Sequence, residues 1–198
     1  MLKDTLIALK NAARFVFLLR KQAVKEMDVS RRSVYVSLFV AATCSLSLDL
    51  LDEYWHPDPD YTFLSDSKGW LSLTVFLLFK FFAGIVVLTI CTHLLGFQQH
   101  LTKLIVTGNW VGIILGPVSM VPYVLFDEWW DSMLDANVMM YGIAALFVST
   151  PFFCIDIYRI VIVINERVRH GLLLWACQFF GDIVVYVLGF SILLDALF

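Results

Sequence analysis

The chain has 198 residues, 60% of them hydrophobic and only 16% charged, with a formal net charge of −3; an average soluble domain is about 25% charged. With a mean hydropathy of +0.82, this composition excludes a disordered chain, a collagen-like repeat and a disulfide-stapled secreted module, and it leaves too little polar surface to coat a soluble globule. The class implied is an all-α polytopic membrane protein.

The first element lies in residues 1–32, which carry Lys3, Lys10, Arg14, Arg20, Lys21, Lys25, Arg31 and Arg32. A secretory signal would gather its cations before a compact apolar run and a small-residue cleavage site, and here they are spread throughout. At about 100° per residue, Lys3, Lys10, Arg14, Lys21 and Lys25 share one sector of a helical wheel. Leu2, Leu6, Leu9, Ala13, Val16, Phe17, Val24 and Met27 fall mostly opposite. The pattern predicts an amphipathic helix at the lipid interface, its apolar face in the acyl boundary and its cations against anionic headgroups. Such a helix serves either to fix orientation or to dock a partner. Asp28, Ser30 and Ser33 stand where a following helix needs caps for its first backbone N–H groups.

Residues 33–198 form the membrane domain. A spanning helix needs about 20 mostly apolar residues, and five stretches qualify: 34–51, 70–95, 104–126, 138–164 and 172–194. The runs are continuously apolar, whereas barrel strands would alternate with period two. A five-helix bundle follows. Lys and Arg accumulate on the cytoplasmic side of membranes. Successive spans alternate in direction, so Lys103, Arg167 and Arg169 share a side with the basic N-terminal segment, and Lys68 is alone on the other. The N-terminus is therefore expected in the cytoplasm and the C-terminus outside. The near-neutral total hides this polarity: eleven basic and four acidic residues fall inside, one basic and eleven acidic outside.

The outer segments are acidic and aromatic. The first holds Asp52, Glu53, Asp58, Asp60 and Asp66 around Pro57 and Pro59, and the second Asp127, Glu128, Asp131 and Asp135 around Trp129 and Trp130. No metal-ligand spacing of the EF-hand or HExxH kind is present, so no metal is expected.

Four ionisable residues fall inside the spans: Lys80, Asp156, Arg159 and Asp182. Each costs about 2.5–3.5 kcal/mol at the bilayer centre on insertion scales, so each needs a partner or a polar cavity. Asp156 and Arg159 are three residues apart and can pair on one helix face; Arg159 is near enough to the cytoplasmic end to snorkel there. Lys80 and Asp182 both fall about 15 Å deep, which predicts a Lys80–Asp182 contact. In the third span Gly108, Gly112 and Gly116 recur every fourth residue, the spacing of a small-residue face for close helix packing. Pro117 and Pro122 follow, and Pro151 interrupts the fourth span; such prolines kink helices and free carbonyls.

Cys44, Cys91, Cys154 and Cys177 all fall within spans without a CxxC pattern, so no disulfide is expected. No P-loop, GxSxG, GxGxxG or metalloprotease motif occurs, and the one basic patch is explained by topology. No enzyme, cofactor or nucleic-acid partner is expected.

The five spans, the phrase Gly116–Tyr123 and the short connection Leu95-Gly96-Phe97 resemble the Yip family (Ypt-interacting protein family), in particular its short bacterial members. The resemblance covers most of residues 34–194. It implies five spanning helices, a cytoplasmic N-terminus, an outside C-terminus and, from its bacterial members, the inner (cytoplasmic) membrane; it transfers no functional residue. The function expected is a non-enzymatic scaffold, organiser or accessory subunit of a membrane complex, contacting lipids and other membrane proteins or itself. The alternative is a small transporter or channel component that uses the intramembrane charges.

Overall fold

The computed structural model describes residues 2–55, 67–126, 129 and 138–197. The acidic segments 56–66 and 127–137, apart from Trp129, lie outside them, as does the side chain of Lys80. Among the described residues all regular structure is helical: α1 (Leu2–Leu18), α2 (Lys21–Lys25), α3 (Arg31–Trp55), α4 (Ser67–Leu94), α5 (Leu101–Leu125), α6 (Val138–Ile164) and α7 (Val168–Leu197), with a 3-10 turn at Gln98–His100. Among the described residues, three segments, Gln98–Pro122, Met139–Ile164 and Val168–Val185, are long and apolar enough to cross a membrane.

The five long helices close into a ring in the order α3, α5, α6, α7, α4, each touching the next, with α4 and α5 also meeting across it. Much of the outer surface is apolar. Tyr35 and Phe39 on α3, Phe82 and Ile90 on α4, Phe147 on α6 and Phe180 on α7 are all more than half exposed. Exposed aromatic and aliphatic surface on this scale is unfavourable in water and normal against lipid.

The helix ends follow local rules. Ser30 caps α3: its Oγ accepts the Ser33 N–H at 3.3 Å, while its own N–H (2.9 Å) and hydroxyl (2.7 Å) donate to the Asp28 carboxylate. Ser30→Ala is expected to lower stability by about 1 kcal/mol, read from the denaturation midpoint. The Ser30 backbone N–H, and after it the hydroxyl, hold the Asp28 carboxyl below its ordinary value. That contribution is present above the ordinary carboxylate range and is lost as pH falls through the lowered pKa; Asp28→Asn should remove this acid-sensitive component. At its C-terminal end, α4 is closed by Gly96 with φ +75°. The Gly96 N–H donates to His93 O (3.2 Å) and the Phe97 N–H to Thr92 O (2.7 Å), the paired bonds of a Schellman turn. Gly is favoured there because it has no Cβ to strain the left-handed backbone.

The N-terminal segment differs from the single amphipathic helix predicted. It breaks after Leu18, with Leu19 at φ 49°, so Lys21 and Lys25 belong to a separate short helix and do not continue the face of Lys3, Lys10 and Arg14. The face of α1 that packs inward is Asn11, Ala12, Phe15 and Val16. It joins one cluster with Leu104, Val106, Trp110 and Val111 of α5 and Ile160, Val163 and Ile164 of α6. Phe15 also stacks on Tyr158, ring centroids 5.9 Å apart. The protein's own helices thus cover the most buried apolar side of α1. Its outer side mixes exposed Leu6, Ile7 and Phe17 with exposed Lys3, Lys10 and Arg14. α2 is tied down by Lys103, whose Nζ donates to the Lys25 carbonyl at 3.3 Å, a cation placed on a helix C-terminus as the helix dipole favours.

Candidate functional site

Arg159 is a buried charge held by three side-chain hydrogen bonds. It is 4% exposed, and it does not snorkel to the helix end as its position suggests. Its Nε donates to Asp156 Oδ1 at 2.8 Å, the i,i+3 pair expected on α6. Its Nη1 crosses to α5, donating to the Leu104 carbonyl at 3.0 Å and to Thr107 Oγ1 at 3.1 Å. Thr107 in turn donates to Lys103 O at 2.7 Å. The guanidinium therefore latches α6 to α5 while its charge is matched by the carboxylate; buried charge is tolerated only when paired and hydrogen-bonded.

Gly108 makes room for this latch. A Cβ there would sit 3.3 Å from Arg159 Nη1. The other two glycines of the row turn elsewhere: Gly116 faces Leu48 of α3, with 3.5 Å to an added Cβ, and nothing lies within 4 Å of a Cβ at Gly112. The expected single packing face is thus three different jobs, because four-residue steps on a helix drift by about 40° each. Pro117 and Pro122 lie within α5 and Pro151 within α6, and both helices run on through them.

Behind the latch, among α4, α5, α6 and α7, is a cavity of about 340 Å³. Its polar lining is Asp156, Arg159, Asn109 and Gln178; Phe81, Ile85, Leu88, Ile105 and Leu115 supply apolar wall, and Gly84 and Gly112 open it. Asn109 donates from Nδ2 to Ser37 Oγ at 3.1 Å, linking α5 to α3. Gln178 Oε1 is buried and, among the described residues, has no hydrogen-bond donor.

Asp182 sits beside this cavity. Its Oδ1 lies 3.5 Å from a Cβ placed on Gly84, so the α4–α7 contact brings this carboxylate against the α4 backbone. Lys80 precedes Gly84 by one turn on the same helix face. The expected Lys80–Asp182 contact lies outside the described residues.

Thr107, Asn109, Gln178, Trp110 and Gly84 are not marked by the sequence, where charges, glycines, prolines and cysteines inside the spans stand out first. The signal was present: Asn109 and Gln178 are amides in otherwise apolar runs, and such groups seek partners in a bundle as charges do. Among the described residues, no three His, Cys, Asp or Glu side chains gather as a metal site requires, and Cys44, Cys91, Cys154 and Cys177 are free thiols. Comparison with protein-family models, curated proteins and solved structures finds no match to this chain.

Proposed function

We propose that this is a five-span integral membrane protein, a non-enzymatic organiser or accessory subunit of a membrane complex, with α1 and α2 on the cytoplasmic side and the C-terminus outside. Membership of the bacterial inner membrane, and the Yip-like arrangement, belong to the same proposal. The exposed aromatics of α3 and α4 support five spans, since these helices present lipid-compatible surface as α5, α6 and α7 do. The Lys and Arg distribution supports the orientation.

One observation carries the organiser reading: α1 is packed against the bundle through its inner face. Its inner face is fixed on α5 and α6, so its outer face presents Lys3, Lys10 and Arg14 interleaved with Leu6, Ile7 and Phe17 in a set direction. Cations and apolar side chains together suit a contact at headgroup level, with anionic lipid and with the cytoplasmic edge of another membrane protein. A helix that served only to retain charge inside would need no such mounting.

The test is native purification in lipid nanodiscs of the wild type and of the combined variant Lys3→Gln, Lys10→Gln, Arg14→Gln. The expected result is a stoichiometric membrane-protein companion, or a defined oligomer, that is lost in the variant while helical content is unchanged. A wild-type protein that is monomeric and unaccompanied, yet moves solute across proteoliposomes, would sink the reading in favour of the transporter alternative. That second reading is favoured by the cavity lined by Asp156, Arg159, Asn109 and Gln178.

A further inference from the structure

The geometry points to the cavity among α4, α5, α6 and α7 as a binding site for a neutral primary carboxamide on an apolar body. Four side-chain groups of its lining residues make no hydrogen bond among the described residues and are not fully covered. Two are donors. Arg159 spends its Nε on Asp156 Oδ1 and its Nη1 on Leu104 O and Thr107 Oγ1. That leaves Nη2, which lies 3.6 Å from a Cβ placed on Gly108, itself part of the cavity wall. Gln178 keeps its Nε2; its Oε1 is closed off and takes no part. Two are acceptors. Asp156 Oδ2 belongs to a side chain that is 31% exposed. Asn109 keeps Oδ1, since its bond to Ser37 uses Nδ2.

The Asp156–Arg159 pair is neutral as a whole, so this wall offers donors and acceptors together and no net charge. A cation entering here meets the open Nη2 of the guanidinium, and an anion meets the open Oδ2 of the carboxylate; each is repelled by one member of the pair. An uncharged group that both accepts and donates is repelled by neither. Polar groups inside a protein are costly without partners, so the four unspent positions favour a guest that meets them.

A primary carboxamide matches the count. Its carbonyl oxygen accepts twice, for Arg159 Nη2 and Gln178 Nε2, and its NH₂ donates twice, for Asp156 Oδ2 and Asn109 Oδ1. The rest of the wall is hydrocarbon, from Phe81, Ile85, Leu88, Ile105 and Leu115, and covers the carbon part of the ligand. Water meets the same polar count but leaves that hydrocarbon wetted, which an amide on an apolar body does not. A volume of about 340 Å³ is at the small end of ligand pockets.

The site is separate from the α1 surface, and the two are tested apart. The full chain in phosphatidylcholine nanodiscs is titrated with benzamide, and binding beyond that of empty nanodiscs is read by equilibrium dialysis and by the unfolding midpoint. Toluene, N,N-dimethylbenzamide, benzylammonium chloride and sodium benzoate keep the aromatic body and change only the polar group. Saturable binding of benzamide is expected, with each of the other four at least about tenfold weaker. Gln178→Leu removes a donor that no described group uses, so the fold should persist; it is expected to weaken benzamide binding about tenfold. Gly112→Leu fills the cavity from a position with nothing within 4 Å of the added Cβ, breaks no hydrogen bond, and should abolish binding. The variant with Lys3, Lys10 and Arg14 changed to glutamine should titrate as the wild type, whether or not it loses a companion protein. No saturable benzamide binding would overturn the assignment and leave water as the only guest. Toluene binding as tightly as benzamide would overturn it in favour of a purely apolar void, and tighter benzoate or benzylammonium would mark one charge of the pair as dominant. Unchanged benzamide binding in Gly112→Leu or Gln178→Leu would place the site elsewhere.

Discussion

Arg159→Leu is expected to cost the bundle about 3 kcal/mol or to prevent it from assembling. Removing one member of a buried, hydrogen-bonded ion pair leaves the other charge uncompensated, and such losses run to about 3–5 kcal/mol. The partial exposure of Asp156, 31% against 5% for Arg159, puts this case at the lower end. The variant also removes both bonds from α6 to α5 at Leu104 O and Thr107 Oγ1. Arg159→Lys keeps the charge but has no fixed fork, and one ammonium cannot reproduce the guanidinium's bonds to Asp156 and to α5; an intermediate loss is expected. The informative comparison is Arg159→Leu with Asp156→Leu. Replacing both members by apolar groups leaves no orphan charge, so the double variant should recover most of what the single one loses. Unfolding of the purified protein in mild detergent, followed by circular dichroism on titration with a denaturing detergent, reads all four states. An Arg159→Leu protein as stable as the wild type would show that the latch does not hold α5 and α6 together.

This latch shows where sequence reading reaches and where it stops. The five apolar runs locate five long helices because the hydrophobic pattern is local to each helix: the stretch 138–164 and the helix Val138–Ile164 coincide. The Ser30 cap and the Asp156–Arg159 pair were legible for the same reason, since each is settled within one turn. The second half of the latch was not. Arg159 meets Leu104 and Thr107 across more than fifty residues of chain, and nothing in the spacing on α6 says which neighbour it will find. Snorkelling was the sensible expectation for an isolated helix; a hydrogen-bonding wall on α5 makes burial the better solution. The N-terminal segment illustrates a different limit. A wheel drawn over residues 1–32 assumes one continuous helix, and the left-handed residue Leu19 resets the phase. Within α1, the stripe Ala8, Asn11, Ala12, Phe15 has helical spacing and is the face that packs. It was obscured because Asn11 reads as polar, and because Leu6 and Phe17 on the other side are larger and more apolar. The glycines show a third limit: spacing identifies small residues on one side of α5, while only the neighbours reveal that Gly108 serves Arg159 and Gly116 serves Leu48.

The glycines that matter most to packing are two that spacing never marked, and the second large effect is expected there. A Cβ at Gly171, on α7, would fall inside the Cγ2 methyl of Val161 on α6, and it would also approach the Val161 backbone N at 3.4 Å and Cα at 3.5 Å. A Cβ at Gly181 would lie 2.5 Å from Val87 Cγ1 on α4. Both obstacles are valines, whose branched side chains have essentially one χ1 rotamer in a helix and cannot swing aside. Gly171→Ala and Gly181→Ala should therefore each destabilise by about 1–3 kcal/mol, the range for overpacking a close contact. The net figure is what survives after the gain of about 0.5–1 kcal/mol that alanine brings over glycine in a helix. Gly112→Ala isolates that gain, because nothing stands within 4 Å of the added carbon; it should be neutral or mildly stabilising. The two obstructed sites should respond differently to relief. At Gly181 the clash is with a side chain alone, so adding Val87→Ala should restore most of the loss. At Gly171 the α6 backbone is also close, so adding Val161→Ala should restore only part of it, and α6 and α7 must move apart for the remainder. Equal and complete rescue at both sites would mean that the α6–α7 contact is set by side chains alone and not by the approach of the two backbones.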